Sequence, residues 1–247
     1  MRVAYDSIYF ELRKLIEDGT YAYRTLLPSE TALVKRYGCA HNTVRKALSI
    51  LAAHGYVQPI HGKGVRVTYL PPSGSDKKLL SLNPNGIESF NEAAKRCGFA
   101  PSTKIVLMES IEVDEALAQN VPFDLGQQLL HVVRIRHYNG KPLSWEDCYV
   151  REDLVEGITV EDAQDSIHAY IKSARGAKLV TSQRTIVVEH ANKQDNKFLQ
   201  MGDSDYVVSI CINSFDHDGL LGEHRILHHH PDAFLLRQTV IESRVSK

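Results

Sequence analysis

The chain has 247 residues, 43% hydrophobic and 24% charged, the balance of a folded globular protein with room for one small and one mid-sized domain. The formal net charge of −1 hides an asymmetry: residues 1–69 carry ten Lys/Arg against five Asp/Glu, and the remainder is net acidic. A basic N-terminal part on an acidic remainder suits a reader of phosphate backbone joined to something else. No apolar run approaches the ~20 residues of a membrane span, and MRVAYDSIYF lacks a signal-peptide core, so a cytoplasmic protein is expected. Cys39, Cys97, Cys148 and Cys211 form no CxxC pair. They are read as reduced thiols, with no metal and no cofactor expected.

Taken in order, Tyr5 to Asp18 is amphipathic, with Ile8, Leu12, Leu15 and Ile16 on one side. In LPSETALVKRYGCAHNTVRKAL, residues 27–48, Pro28-Ser29-Glu30 opens a helix, because Pro cannot continue a preceding helix and Ser29 can cap a free N–H. Ala32, Leu33, Val34 and Tyr37 supply its apolar stripe, and Gly38 permits the left-handed turn. Val44, Ala47, Leu48 and Leu51 then repeat at helical spacing. His41, Asn42, Thr43, Arg45 and Lys46 are left facing outward. Two helices joined this way form a helix-turn-helix, whose second helix enters the DNA major groove. Residues 55–60 and 65–69 predict a hairpin with the basic, glycine-rich tip His61-Gly62-Lys63-Gly64. Together these make a winged helix.

Residues 71–80 are rich in Pro, Gly and Ser and read as a linker. Beyond it, strands are expected over Ile105–Val113, Leu129–Tyr138, Leu143–Val150, Leu179–Glu189, Tyr206–Phe215, Gly222–His229 and Leu235–Glu242. Asn139-Gly140 marks a tight hairpin. Helices are expected near Ile87–Arg96, Glu115–Asn120, Ser166–Ala174 and Asn192–Met201. The fold class is therefore α+β: a winged helix over 1–70, a linker over 71–80, and a larger domain over 81–247 with a mainly antiparallel sheet.

Arg134 and Arg136 lie two apart on a strand and leave the same face. Two adjacent guanidiniums need water or an anion, and an arginine fork suits phosphate or carboxylate. Ser166 at a helix start would add an anion-favouring dipole. Glu146 and Glu223 could accept from sugar hydroxyls or pair with an amine. The competing reading puts both arginines on a solvated face, salt-bridged to Glu146 or Asp147. His228-His229-His230 invites a metal, but on a strand the middle residue faces away from the other two, so a structural or effector-contacting role is preferred.

The first seventy residues resemble the DNA-binding domain of the GntR family of bacterial transcription regulators, through LPSE, TVRKAL and GYVQPIHGKGVRV. The chain departs where Cys39-Ala40-His41 replaces the family's usual Val-Ser-Arg. Ala40 removes the Ser cap of the second helix, a loss of about 1 kcal/mol. The later residues resemble the effector domain of the HutC branch, which shares its fold with chorismate lyase. Ser89-Phe90, Arg134-Ile135-Arg136, Asn139-Gly140-Lys141-Pro142, Glu146, Ser166 before Tyr170, and Glu223 to Phe234 carry that likeness. The family commonly has Arg at the position of His230.

The resemblance implies a homodimer on double-stranded DNA with an inverted-repeat operator, released by a small anionic effector such as a sugar phosphate. It implies DNA contacts by Ser29, Glu30, Arg36, His41, Asn42, Thr43, Arg45, Lys46, Gly62, Lys63 and Gly64. Effector contacts would come from Ser89, Phe90, Arg134, Arg136, Glu146, Ser166, Tyr170, Glu223 and His229. A carboxylate such as urocanate is the second effector choice. A chorismate-lyase-like enzyme is the rival class; against it, no nucleophile–base pair stands out. A purely architectural DNA-binding protein is a third class, disfavoured by the whole sheet domain with its paired arginines.

Overall fold

The computed structural model describes residues 5–70, 80–82, 89–174, 176 and 179–236. The described residues divide into two compact units, one within residues 5–70 and one within residues 80–236.

In the first unit, α1 (Tyr5–Glu17), α2 (Glu30–Tyr37) and α3 (His41–Ala53) are followed by a two-stranded hairpin of β1 (Val57–Ile60) and β2 (Gly64–Val67). Ser29 caps α2, its Oγ accepting from the Ala32 N–H at 3.2 Å, and Gly38 ends the helix at φ 59. Ala40 occupies the cap of α3 in extended conformation with no side-chain hydrogen bond, so the missing cap is real and its position is the expected one. One apolar cluster joins the pieces: Ile8, Leu12 and Ile16 of α1, Leu33 of α2, Val44, Ala47, Leu48 and Leu51 of α3, and Val57 and Val67 of the wing. Ala32, expected in the stripe, is exposed, and the stripe of α2 narrows to Leu33 with Val34 and Tyr37 half-buried.

The second unit begins with β3 (Leu80–Leu82) and α4 (Phe90–Cys97), then β4 (Pro101–Glu112), β5 (Gln128–Tyr138) and β6 (Lys141–Arg151). Short helices α5 (Glu152–Val155), α6 (Val160–Asp165) and α7 (Ile167–Ala174) follow, then β7 (Thr181–His190), α8 (Lys193–Phe198), β8 (Tyr206–Phe215), β9 (Leu221–His229) and β10 (Phe234–Leu236). The main sheet has six antiparallel strands in the order β4-β5-β6-β9-β8-β7. Asn139 at φ 51 and Gly140 at φ 80 form the two-residue turn between β5 and β6, where both positions need the left-handed region.

Three corrections follow. The helix expected over Glu115–Asn120 is only a 3-10 turn at Leu117–Gln119, because the segment lacks a full apolar stripe. Helices α5 and α6 were not anticipated, being one turn or little more. They lie on the chain passing from β6 to β7, and α6 is held by the capping box of Thr159 with Asp162. The parallel pairing of β3 with β10 joins segments far apart in sequence. The expected linker lies outside the described residues except for Leu80, as does the end of the last expected strand. Ile87 and Glu88 of the helix expected over Ile87–Arg96 also lie outside the described residues, and its later part is α4.

The sheet's two faces are unlike. One carries Val133, Ile135, Trp145 and Val207 against Leu199 and Met201. The other carries Leu130, Val132, Cys148 and Val150 against Ala163, Ile167 and Ile171 of α6 and α7. Gly222 allows the close approach on β9: a Cβ there would fall 2.6 Å from Leu179 and 2.8 Å from Leu154.

Candidate functional site

In the first unit, the outward residues of α3 are placed by the inward ones. With Val44, Ala47, Leu48 and Leu51 buried, His41, Asn42, Arg45 and Lys46 are exposed and Thr43 half-buried. Arg45 donates Nε to Glu30 Oε2 at 2.8 Å while its side chain stays 65% exposed. The ion pair uses one N–H and leaves the terminal fork facing outward. Lys46 sits over the Tyr5 ring at 4.7 Å. Arg36 turns back to Glu11 at 2.6 Å and to the Tyr21 hydroxyl at 3.1 Å, so it ties α2 to α1. The Ser29 hydroxyl is likewise engaged in its cap. Gly62 (φ 69) and Gly64 (φ 102) flank exposed Lys63 at the wing tip.

The second site grows out of strand register. Arg134 opposes Glu146 and Arg136 opposes Ser144 across β5 and β6. Ser144 opposes His229 and Glu146 opposes Leu227 across β6 and β9. Alternate residues share a face, so Arg134, Arg136, Glu146, Glu223, Arg225 and His229 project together. All are buried apart from Arg225, whose side chain is 14% exposed. The solvated face of the competing reading is therefore corrected, while the salt bridge to Glu146 that it named is present. Asp147, one residue on, faces the other way and meets His131 at 2.7 Å.

Glu146 is the hub. Its Oε1 accepts from Arg134 and from Arg136 at 2.8 Å, and its Oε2 faces Arg225 at 3.5 Å. Burial pushes the Glu146 carboxyl up, but the three guanidiniums outweigh it and hold it down at about 2. Arg136 also donates to Thr103 Oγ1 at 2.7 Å and lies 4.6 Å from the Phe90 ring. Burial and the neighbouring Arg134 bring it down to about 10. Arg134 donates to the Ala163 carbonyl at 2.6 Å, fastening α6 to the sheet.

Glu223 makes a second node. It meets His168 of α7 at 2.9 Å, Ser214 at 3.0 Å and the Cys148 thiol at 3.6 Å. Burial opposes its ionisation, yet Arg225 and His168 hold it well below the usual carboxylate range. Both carboxylates are committed to cations inside the sheet, Glu146 most firmly through Oε1. The unmatched groups are instead mostly donors: Nε of Arg134, Arg136 and Arg225, and both ring nitrogens of His229. Burial pushes His229 down to about 4, so it is neutral at physiological pH.

Ser166 stands at the junction of α6 and α7, with Oγ accepting from the Ala169 N–H at 3.2 Å. The Tyr170 hydroxyl donates to the Glu156 carbonyl at 2.8 Å, a helix-to-loop tie. Ser89 is half-buried just before α4. The histidine triplet splits as alternation requires. His228 turns to Asp195 at 2.7 Å on the opposite face, His229 lies on the arginines' face of the sheet, and His230 caps the turn at Pro231. Arg225, His168, Ser214, Cys148 and Thr103 were not singled out from sequence. Arg225 had a signal, two residues after Glu223 on one strand; the rest come from cross-strand register and helix packing.

The UTRA domain family matches residues 96–234, and the gntR family of bacterial regulatory proteins matches residues 4–67. The chain belongs to the UTRA-domain branch of the gntR family. It is similar to the HTH-type transcriptional regulator TreR of Bacillus subtilis, 28% identical over 92% of this chain and 93% of that one. The HTH-type transcriptional repressor NagR of the same organism is 23% identical over 89% and 87%. The crystal structure of the possible transcriptional regulator YydK, also from Bacillus subtilis, superposes with a TM-score of 0.75 at 20% identity. It covers 98% of this chain and all of that one, a likeness of fold. This UTRA-branch protein is thus a DNA-binding transcription regulator with an effector-binding domain. No helix among the described residues is long and apolar enough to cross a membrane.

Proposed function

We propose that the chain is a cytoplasmic homodimeric repressor of a sugar-utilisation operon, released from an inverted-repeat operator by a small anion bound at the buried arginine cluster. One observation carries the effector part. Three guanidiniums face two carboxylates whose acceptor oxygens are already engaged, while the unmatched groups are guanidinium N–H donors and His229. Unmatched buried donors are costly, and a ligand rich in acceptors and negative charge relieves them. A phosphorylated sugar is the first choice. The relatives' names support the wider context, since TreR and NagR are a regulator and a repressor of the same branch.

Arg45, Asn42 and His41 would meet the major groove, and Lys63 with its glycines the minor groove or its phosphates. Arg134 links the cluster to α6 and His168 links it to α7. An anion that rearranges those bonds can therefore bias two states of the protein, which is all a ligand needs for release. The test is a thermal-shift screen with sugar phosphates and carboxylates, followed by operator release in a gel shift. A sugar phosphate that raises Tm and frees the operator is expected. Stabilisation by neutral sugars alone, or by no anion, sinks the reading. A carboxylate hit alone moves the effector to the urocanate class.

A further inference from the structure

Within residues 1–69, every acidic side chain lies at or before Glu30: Asp6, Glu11, Glu17, Asp18 and Glu30. Three of them engage arginines, Glu17 with Arg13, Glu11 with Arg36 and Glu30 with Arg45. The wing carries cations and no carboxylate. Among the described residues, Arg24 and Arg66 are the two arginines of this unit without an acidic partner. They sit on neighbouring strands, because residues 24–27 run along β2. The Arg24 N–H donates to the Val67 carbonyl at 3.0 Å, the Val67 N–H to the Thr25 carbonyl at 2.9 Å, and the Leu27 N–H to the Val65 carbonyl at 2.8 Å. Leu26 stands opposite Arg66. Both arginines are exposed. Arg24 holds φ 71, a left-handed backbone that is costly for a long side chain, and its guanidinium lies 5.1 Å from the Tyr23 ring. Glycine would adopt that backbone without strain, so this position keeps a cation against its own conformational preference.

We propose that Arg66 and Arg24 form a phosphate clamp on the wing, gripping the DNA backbone at the rim of the minor groove while Gly62-Lys63-Gly64 enters it. The inference rests on the reading of the wing as a groove contact and adds a backbone-binding part behind the tip. Strand geometry sets the level of each group. Arg66 is three residues from Lys63, about 10 Å back along the strand at roughly 3.3 Å per residue. The minor groove of B-DNA is about 7.5 Å deep. A tip at the floor of the groove therefore leaves Arg66 level with the phosphates of its rim, and Arg24, bonded to Val67, one step further along. A guanidinium fork binds a phosphate through two parallel N–H bonds, and both forks meet the polyanion without first breaking an ion pair. Arg45 differs, since Glu30 holds one of its N–H groups. Contacts of this kind add affinity and fix register but carry no sequence preference.

The probe is a duplex enriched from a random-sequence library by the wild-type chain, and the readout is binding of the full chain across a salt series. Arg66→Gln and Arg24→Gly should each weaken binding about fivefold at low salt and flatten the plot of log affinity against log salt by about 0.9 per bound half-site. Arg66→Lys should keep the slope. Arg24→Gly should melt no lower than wild type, since glycine accepts its backbone freely, so the lost affinity is not lost fold. Should it melt lower, Arg24→Asn takes its place, as Asn also tolerates the left-handed region. Hydroxyl-radical footprints should lose protection at the groove rim in both variants and keep it at the centre of each half-site. A wild-type slope in either variant overturns the clamp, as does lost affinity at an unchanged slope, or rim protection that survives both substitutions. A gain in affinity overturns it too, and is the result expected if the two arginines serve the acidic part of the chain. Lys63→Gln separates the levels. If it also leaves the slope unchanged, the reading of the wing as a groove contact fails; if it alone flattens the slope, only the clamp does.

Discussion

The two units handle arginine in opposite ways. In the winged helix the core is wholly apolar, and Arg45 lies on the surface against Glu30. In the effector unit, Arg134 and Arg136 are 1% and 3% exposed and share one carboxylate. A surface that meets polyanionic DNA needs charge that is already solvated and cheap to redirect. A site for a small ligand needs donors held rigid in a dry place, where each bond is stronger and each omission costlier. The same side chain is therefore a replaceable contact in one unit and part of the framework in the other.

Glu146→Ala should break this contrast most visibly. It strands three guanidiniums inside the sheet, and breaking a buried ion pair typically costs about 3–5 kcal/mol. Urea melts should show the effector unit unfolding early while the winged helix keeps its own transition. A loss under about 1 kcal/mol would mean that the cluster is hydrated.

The second effect is a pH slope. His229 is held at about 4 when folded, against about 6.5 when unfolded. Between those values the unfolded chain binds more protons, so stability falls as pH drops from about 6.5 to 4. Glu146, held down at about 2, extends the loss to lower pH. His229→Gln should remove on the order of 2 kcal/mol of that slope in melts at pH 6.5 and pH 4. A slope identical to wild type would show that the ring is solvated.

Arg45→Ala should reverse the readouts. Operator affinity is expected to fall by about 1–3 kcal/mol in a gel shift, with base preference relaxed. Stability should change by less than about 0.5 kcal/mol, as exposed pairs contribute little. Unchanged operator affinity would remove Arg45 from the interface. Smallest is Ala40→Ser, which supplies the absent cap of α3 and should stabilise the winged helix by about 0.5–1 kcal/mol. Coincident melts would mean that the free N–H groups are already satisfied by water.

The sequence by itself determined the elements whose physics is local. Ser29 and Gly38 bound α2, the 3.6-residue spacing of Val44, Ala47, Leu48 and Leu51 aims α3, and Asn139-Gly140 sets the β5–β6 turn. Each depends on neighbours a few residues away. Period-two alternation likewise put Arg134 and Arg136 on one face and split the histidine triplet. Alternation could not say whether that face is wet, because the cover comes from α6 and α7, and nothing local in either helix says which sheet face it packs on. Nor could it show that Glu146 serves three arginines, since Arg225 arrives from β9 by the non-sequential pairing of β6 with β9. The tertiary structure alone decided that the arginines are buried, that the two carboxylates are committed, and that His229 is left without a partner. Those properties depend on register between strands some eighty residues apart, and on the desolvation that closing the sheet imposes.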